Sequence, residues 1–156
     1  MMPDLLIREA TPADIPAILE HRHGMYLDMG YEDDRAIEGM LATCEPYLQQ
    51  AIPNRTFRGW LALSSGRIVG GGAILINPWP SHPYDLECRR ATILNVYVHP
   101  DFRRQGIARR LMETMIGWCR EQHFAAVYLH ASADGRQLYE SMGFQPTAEM
   151  KLKLAP

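Results

Sequence analysis

Lysine is almost missing from this chain of 156 residues: Lys151 and Lys153 are the only two, and every other basic residue except histidine is arginine. With 16 Lys+Arg against 18 Asp+Glu the formal charge is −2, so no excess of positive charge draws the chain to nucleic acid or to an anionic membrane. Cysteine is scarce as well. Cys44, Cys88 and Cys119 are too few and too far apart for a disulfide scaffold or a zinc knuckle. Reduced thiols in a cytoplasmic protein, with no metal, are expected. No stretch approaches the ~20 apolar residues of a membrane span. Met1 to Ala10 has neither the basic segment nor the long apolar run of a signal peptide. Several motifs are also absent. No Gly-x-Gly-x-x-Gly follows the first strand, and Gly-Lys-Ser/Thr, His-Glu-x-x-His and Gly-x-Ser-x-Gly do not occur. Dinucleotide-binding, P-loop, metalloprotease and serine-hydrolase readings therefore have no support.

What is present is ordinary globular usage. Apolar residues make up 47% and charged residues 22%, which suits one domain over 1–156. Leu5 to Glu9 predicts a strand. Thr11, Pro12 and Asp14 then mark a helix start, followed by the stripe Ile15, Ile18, Leu19 and Met25. A second helix is expected from Asp33 to Ala51, and two strands, Phe57 to Leu63 and Arg67 to Ile76, joined by a turn at Ser64-Ser65-Gly66. Gly70, Gly71 and Gly72 point to a bulge or a close backbone approach. After a proline-broken loop from Asn77 to Arg90 come a strand, Ala91 to Val98, and a helix, Arg103 to His123. The helix carries Ile107, Leu111, Met115 and Trp118 on one face. A strand (Ala125 to Ala131), a short helix (Asp134 to Met142, with Asp134 as N-cap and Gly143 as its stop) and a last alternating strand (Phe144 to Leu154) complete the order. This is a mixed α/β layer structure around a central sheet.

Six arginines fall between Arg89 and Arg110. Among them, a strand ending at Val98 leads through His99-Pro100 into a short polar loop and then a helix. The first turn of a helix has unpaired N–H groups and the positive end of its dipole, so it attracts anions. Gly106 lets a phosphate approach the backbone, Ala108 is small for the same reason, and Arg103 and Arg104 add charge. Further on stands Leu138-Tyr-Glu-Ser-Met-Gly-Phe144.

Arg103-x-x-Gly106-x-Ala108 resembles the Gln/Arg-x-x-Gly-x-Gly/Ala signature of the GCN5-related N-acetyltransferase (GNAT) superfamily, and Leu138 to Phe144 resembles that family's Leu-Tyr-x-x-x-Gly-Phe segment. The resemblance spans essentially the whole chain. It implies a GNAT-like fold, a central, mostly antiparallel mixed sheet flanked by about four helices. It also implies transfer of the acetyl group of acetyl-CoA to a primary amine of a small molecule or peptide, by direct attack in a ternary complex. Homodimers are common in that family. The coenzyme A pyrophosphate would be held by the amides of Arg104, Gln105, Gly106, Ile107 and Ala108. Backbone N–H groups around Val96, Tyr97 and Val98 would polarise the acetyl oxygen, and Ser132 and Arg136 would meet the pantetheine arm or the phosphates. Tyr139 would be the general acid toward the leaving thiolate.

The family often has Asn where this chain has Ser132, and Ala at the place of Gly135. Many members carry a catalytic Glu on the strand before the pyrophosphate loop. The comparable place here is near Asn95, and Ala91 to Val98 holds no carboxylate. The base candidates are Asp85, Glu87, His130 and a water held by Asn95. Asp28, Glu32, Asp33 and Asp34 are candidates to receive a cationic amine. Tyr26, Tyr31, Trp79 and Tyr84 are candidates to shape its pocket. The absent strand carboxylate leaves a second reading, a non-catalytic acetyl-CoA sensor.

Overall fold

The computed structural model describes residues 4–156. Met1 to Pro3, where a signal peptide would begin, lie outside the described residues. Strand β1 (Leu5–Glu9) leads into a 3-10 turn (Pro12–Asp14), helix α1 (Ile15–Asp28) and helix α2 (Asp34–Ala51). Strands β2 (Phe57–Ser64), β3 (Arg67–Pro78) and β4 (Arg89–Val98) follow. After a second 3-10 turn (Pro100–Phe102) come helix α3 (Ile107–Glu121), strand β5 (Val127–Leu129) and helix α4 (Arg136–Ser141). The strands lie in sequence order, β1-β2-β3-β4-β5. The first three pairings are antiparallel and β4–β5 is parallel.

Local chemistry accounts for most boundaries. Ser65 and Gly66, with φ of 48° and 79°, form the two-residue turn between β2 and β3; positive φ at both positions matches the twist of a hairpin. Asp33 caps α2 by accepting from the Ala36 N–H at 3.0 Å. Asp14 closes the first turn, accepting from the Thr11 N–H at 2.8 Å and from the Arg8 guanidinium at 2.8 and 2.9 Å.

Two apolar layers hold the sheet. Ile15 and Ile18 of α1 and Leu48 and Ala51 of α2 pack with Phe57, Leu61 and Ala73. Ile107, Leu111, Met112, Met115 and Cys119 of α3 pack with Trp60, Ala62, Ile74 and Ile93. Trp60 and Ala62 thus go to one layer and Leu61 to the other, as the two-residue period of a strand requires. The fully buried member near the end of the α3 stripe is Cys119. Trp118 lies at its edge, between Trp60 (5.8 Å) and Phe124 (5.9 Å) and under Arg58 (4.7 Å).

Three expectations need correction. The helix expected from Arg103 begins at Ile107, because Arg104 and Gly106 both take left-handed conformations, with φ of 60° and 80°. The N-cap of α4 is Gly135 rather than Asp134, and the Ser132 hydroxyl accepts the Gly135 N–H at 3.2 Å. The last strand does not form: residues 145–156 carry no regular structure, and Met150, Leu152 and Leu154 are 93%, 80% and 90% exposed. Alternation specifies a strand face only where a neighbouring strand supplies the ladder bonds, and β5 pairs with β4 alone among the described residues.

Candidate acetyl-transfer site

The site is assembled where β4 outruns β5. Their pairing spans only Ala91–Val127, Thr92–Tyr128 and Ile93–Leu129. From Leu94 to Val98 β4 has no β5 partner, so the two strands part there.

A bulge sits in the same stretch. Ala73 pairs with Leu94 and Gly71 with Tyr97, so β4 spends one more residue than β3. Asn95 carries the irregularity with φ of 61°, a region that asparagine tolerates better than most residues. The extra residue reverses the alternation. Ala91 and Ile93 face the α3 layer, and strict alternation would send Asn95 and Tyr97 there too. Instead Val96 and Val98 join that layer, while Tyr97 stacks on His21 of α1 at 5.3 Å. Gly70 makes the bend possible, because a Cβ there would stand 2.7 Å from the Tyr97 carbonyl oxygen. The expected close approach at the glycine run is therefore present.

Next comes the loop. Arg103 is extended, and its Nε donates to the Val98 carbonyl at 2.8 Å. Its Nη2 bonds Asp28 Oδ2 at 2.6 Å, and its guanidinium covers the Tyr97 ring at 5.4 Å. The charge expected of Arg103 at the loop is thus shared with Asp28, and the residue ties the loop to the end of α1. Arg104 and Gln105 are exposed and Ile107 is buried, anchoring the helix start. Gly106 has open space where a Cβ would be. The Arg110 N–H bonds the Gly106 carbonyl at 3.1 Å, whereas no amide from Arg104 to Arg109 has a protein acceptor among the described residues. Such unpaired donors at a helix start make an anion cradle.

Tyr139 lies on α4, its ring edge-on to Phe144 at 6.0 Å and against the α3 layer. Its hydroxyl makes no protein hydrogen bond among the described residues, and burial pushes its pKa up, so the phenol keeps its proton at neutral pH. Helix α4 is braced to α3 by Arg109, which donates to Ser141 Oγ at 2.7 Å. A cleft of about 630 Å³ beside β5 is lined by Tyr128, His130, Arg136, Tyr139 and Glu149, among others. Ser132 is occupied in starting α4, through its hydroxyl and its carbonyl, which accepts the Arg136 N–H at 3.0 Å. The Arg136 Nε bonds Glu140 at 2.7 Å.

A family model described as "Acetyltransferase (GNAT) family" matches residues 18–144, which is most of the chain. The chain belongs to that family. A GCN5-related N-acetyltransferase from Ralstonia eutropha superposes with a TM-score of 0.91 at 29% identity, covering 97% of this chain and 99% of that one. A predicted acetyltransferase from Clostridium acetobutylicum, crystallised with acetyl-CoA, superposes with a TM-score of 0.86 at 27% identity, covering 96% of each. Human N-acetyltransferase 8 is 30% identical over 93 residues, 58% of this chain and 39% of that protein. The [ribosomal protein bS18]-alanine N-acetyltransferase of Escherichia coli K12 is 39% identical over 57 residues, 35% of this chain and 38% of that protein. The chain thus spans well under half the length of these curated relatives.

Within this GNAT frame the remaining candidates divide. Asn95 is 4% exposed and faces α1, where Arg22 Nη1 donates to its Oδ1 at 3.4 Å. His130 is exposed and lies 3.6 Å from Glu149. Glu87 is exposed and Asp85 partly so, in the loop after β3, where the Glu87 N–H donates to Asp85 at 3.3 Å. Asp28 and Asp33 are already engaged, with Arg103 and at the α2 cap. Tyr26 and Tyr31 meet edge to face at 5.2 Å, whereas Tyr84 is 90% exposed. Trp79 lies over Arg90 at 4.7 Å.

Sequence reasoning missed His21 and Arg22. His21 is buried, and burial pushes its pKa down, so it stays neutral beside Tyr97 at pH 7. Its position three residues after Ile18 and four before Met25 was a readable signal for that burial. Among the described residues no helix is long and apolar enough to cross a membrane, and no group of three or more His, Cys, Asp or Glu could hold a metal ion.

Proposed function

We propose that this protein is an N-acetyltransferase that moves the acetyl group of acetyl-CoA to a primary amine of a small molecule or peptide, by direct attack in a ternary complex. The observation that carries the reading is the run of unpaired amides from Arg104 to Arg109, placed on left-handed Gly106 beside the parting of β4 and β5. Those residues fit a pyrophosphate: several donors, open space at Gly106, and positive helix polarity. The names of the relatives, acetyltransferases of amines, support the same assignment.

The thioester supplies the electrophile, and this chain's residues do the rest. In this reading the amides of Arg104, Gln105, Gly106, Ile107 and Ala108 hold the diphosphate, with the Arg104 side chain adding charge. Amides at Val96 to Val98, left without a β5 partner, polarise the acetyl oxygen. An amine with an ordinary pKa of about 10.4 must first lose a proton. A water held at Asn95 takes it and passes it to solvent; among the described residues the Asn95 carboxamide is reached only by the long bond from Arg22. The amine nitrogen then bonds the acetyl carbon, the carbon–sulfur bond breaks as Tyr139 protonates the leaving sulfur, and the second nitrogen proton passes through water to the tyrosinate, which restores the phenol.

Thermal unfolding with acetyl-CoA, using ATP and NAD as controls, tests the reading. At about 100 times its dissociation constant the ligand adds roughly 2.7 kcal/mol to stability. Acetyl-CoA alone should give the shift, and amine-dependent coenzyme A release should follow. Absence of a shift with any acyl-CoA refutes the assignment; a shift without release from any amine supports the sensor reading instead.

A further inference from the structure

Arg22 is half-buried on α1, at the bulge of β4. Its Nη1 reaches Asn95 Oδ1 at 3.4 Å and its Nη2 the Tyr26 hydroxyl at 3.3 Å, both long bonds to neutral oxygens. Its Nε is buried and unpartnered among the described residues. Arg8, Arg58, Arg103 and Arg136 each meet a carboxylate at 2.6 to 2.8 Å, whereas Arg22 is in no ion pair among the described residues. The titratable groups facing it from α2 do not supply the missing charge. Cys44 and Tyr47 both feel the guanidinium, yet burial outweighs it and keeps thiol and phenol protonated at pH 7. Asp28, at the end of α1, is held by Arg103, and Asp33 caps α2, so neither supplies that charge. A partly desolvated guanidinium with no counter-ion is costly, and an external anion relieves it.

We propose that Arg22 reads the acceptor, and that the acceptor is an amine that also carries a carboxylate. The planar fork of arginine matches a carboxylate with two parallel bonds. The bonds to Asn95 and Tyr26 are long enough to be exchanged for it. Because the Nη1 group touches Asn95, a carboxylate on Arg22 sets a nearby amine beside the bulge where acetyl transfer is assigned. The inference rests on the transferase reading above and adds the acceptor class to it.

Matched acceptor series test it: amino acids, their carboxamides and their decarboxylated amines, assayed by coenzyme A release, with acetyl-CoA-induced thermal shifts measured in parallel. The wild type should favour the carboxylates by roughly 10- to 100-fold in kcat/KM, the worth of a hydrogen-bonded charge. Arg22→Gln should raise KM for the carboxylates, leave kcat and the acetyl-CoA shift unchanged, and leave the carboxamides where they were. Arg22→Lys, with charge but no fork, should fall between. Equal wild-type rates with and without the carboxylate overturn the proposal, and this arm needs no variant to fold. Equal loss on every acceptor in Arg22→Gln also overturns it, since that marks a role in packing. A protein that binds acetyl-CoA but releases no coenzyme A with any amine fails the transferase reading itself, and this inference with it.

Discussion

Replacing Tyr139 with phenylalanine takes one oxygen from the site and leaves the ring. That ring packs against Phe144 and the α3 layer, and its hydroxyl bonds no protein group among the described residues. Stability should therefore change by less than about 0.5 kcal/mol. Activity should not be spared. Loss of a positioned general acid lowers turnover by roughly 10²- to 10⁴-fold, or about 3 to 5 kcal/mol of barrier. The pH profile adds a second reading. Burial raises the tyrosine pKa above its ordinary value of 10.0, and a general acid must carry its proton to act. Its contribution is complete at neutral pH and is lost only as pH rises through the raised value. Coenzyme A release measured from pH 6 to 10, a range over which the phenol stays protonated and should cause no alkaline fall, beside thermal melts of both proteins, tests this. Wild-type kcat in Tyr139→Phe would refute the assignment of the acid. A large fall in melting temperature would show that the hydroxyl has a structural role.

Glycine substitutions should move stability in opposite directions. Gly70→Ala places a Cβ 2.7 Å from the Tyr97 carbonyl and 3.3 Å from Val98 Cα, backbone that cannot yield, and should cost about 1–3 kcal/mol in urea unfolding. Gly117→Ala, inside α3 with nothing within 4 Å, should gain up to about 1 kcal/mol; the same sign for both contradicts the packing described. The buried Cys119 thiol is pushed up to about 11 by burial, so mass spectrometry after iodoacetamide at pH 8 should find exposed Cys88 labelled and Cys119 protected until the protein unfolds. The Asp14 carboxyl is held below its ordinary pKa first by the Arg8 guanidinium. Its stabilising share is present above the unfolded value and is lost as pH falls through the folded one. Asp14→Asn should lower stability at pH 7 by about 1–3 kcal/mol and flatten the acid limb of the melting curve.

Much of the fold was legible because its signals are local. The Ser65-Gly66 turn, the start of α2 at Asp33 and the stripe Ile107, Leu111 and Met115 depend on neighbours a few residues away. Gly106 was legible as a place where the backbone lies open to a phosphate, whereas its left-handed φ was not. Where the reading failed, the missing information was non-local. The alternating tail looked like a strand, but alternation does not tell whether an edge is there to pair with. Trp118 looked like core because it lies on the stripe, yet Cys119 has the deeper place beneath the sheet.

The sequence by itself determined most of the helices and strands, and its glycine-bearing loop with the Leu138-Tyr139 motif marks the GNAT family. Periodicity, caps and turn chemistry act over a few residues, so the chain carries them openly. Tertiary structure alone decided that Arg103 spends its charge on Asp28, 75 positions away. It also decided that a bulge at Asn95 turns Tyr97 toward His21 and that Arg22 is left at that bulge without a counter-ion. Each follows from strand register and from helices packed across the sheet, and the charge left on a side chain depends on which partners that packing brings within reach.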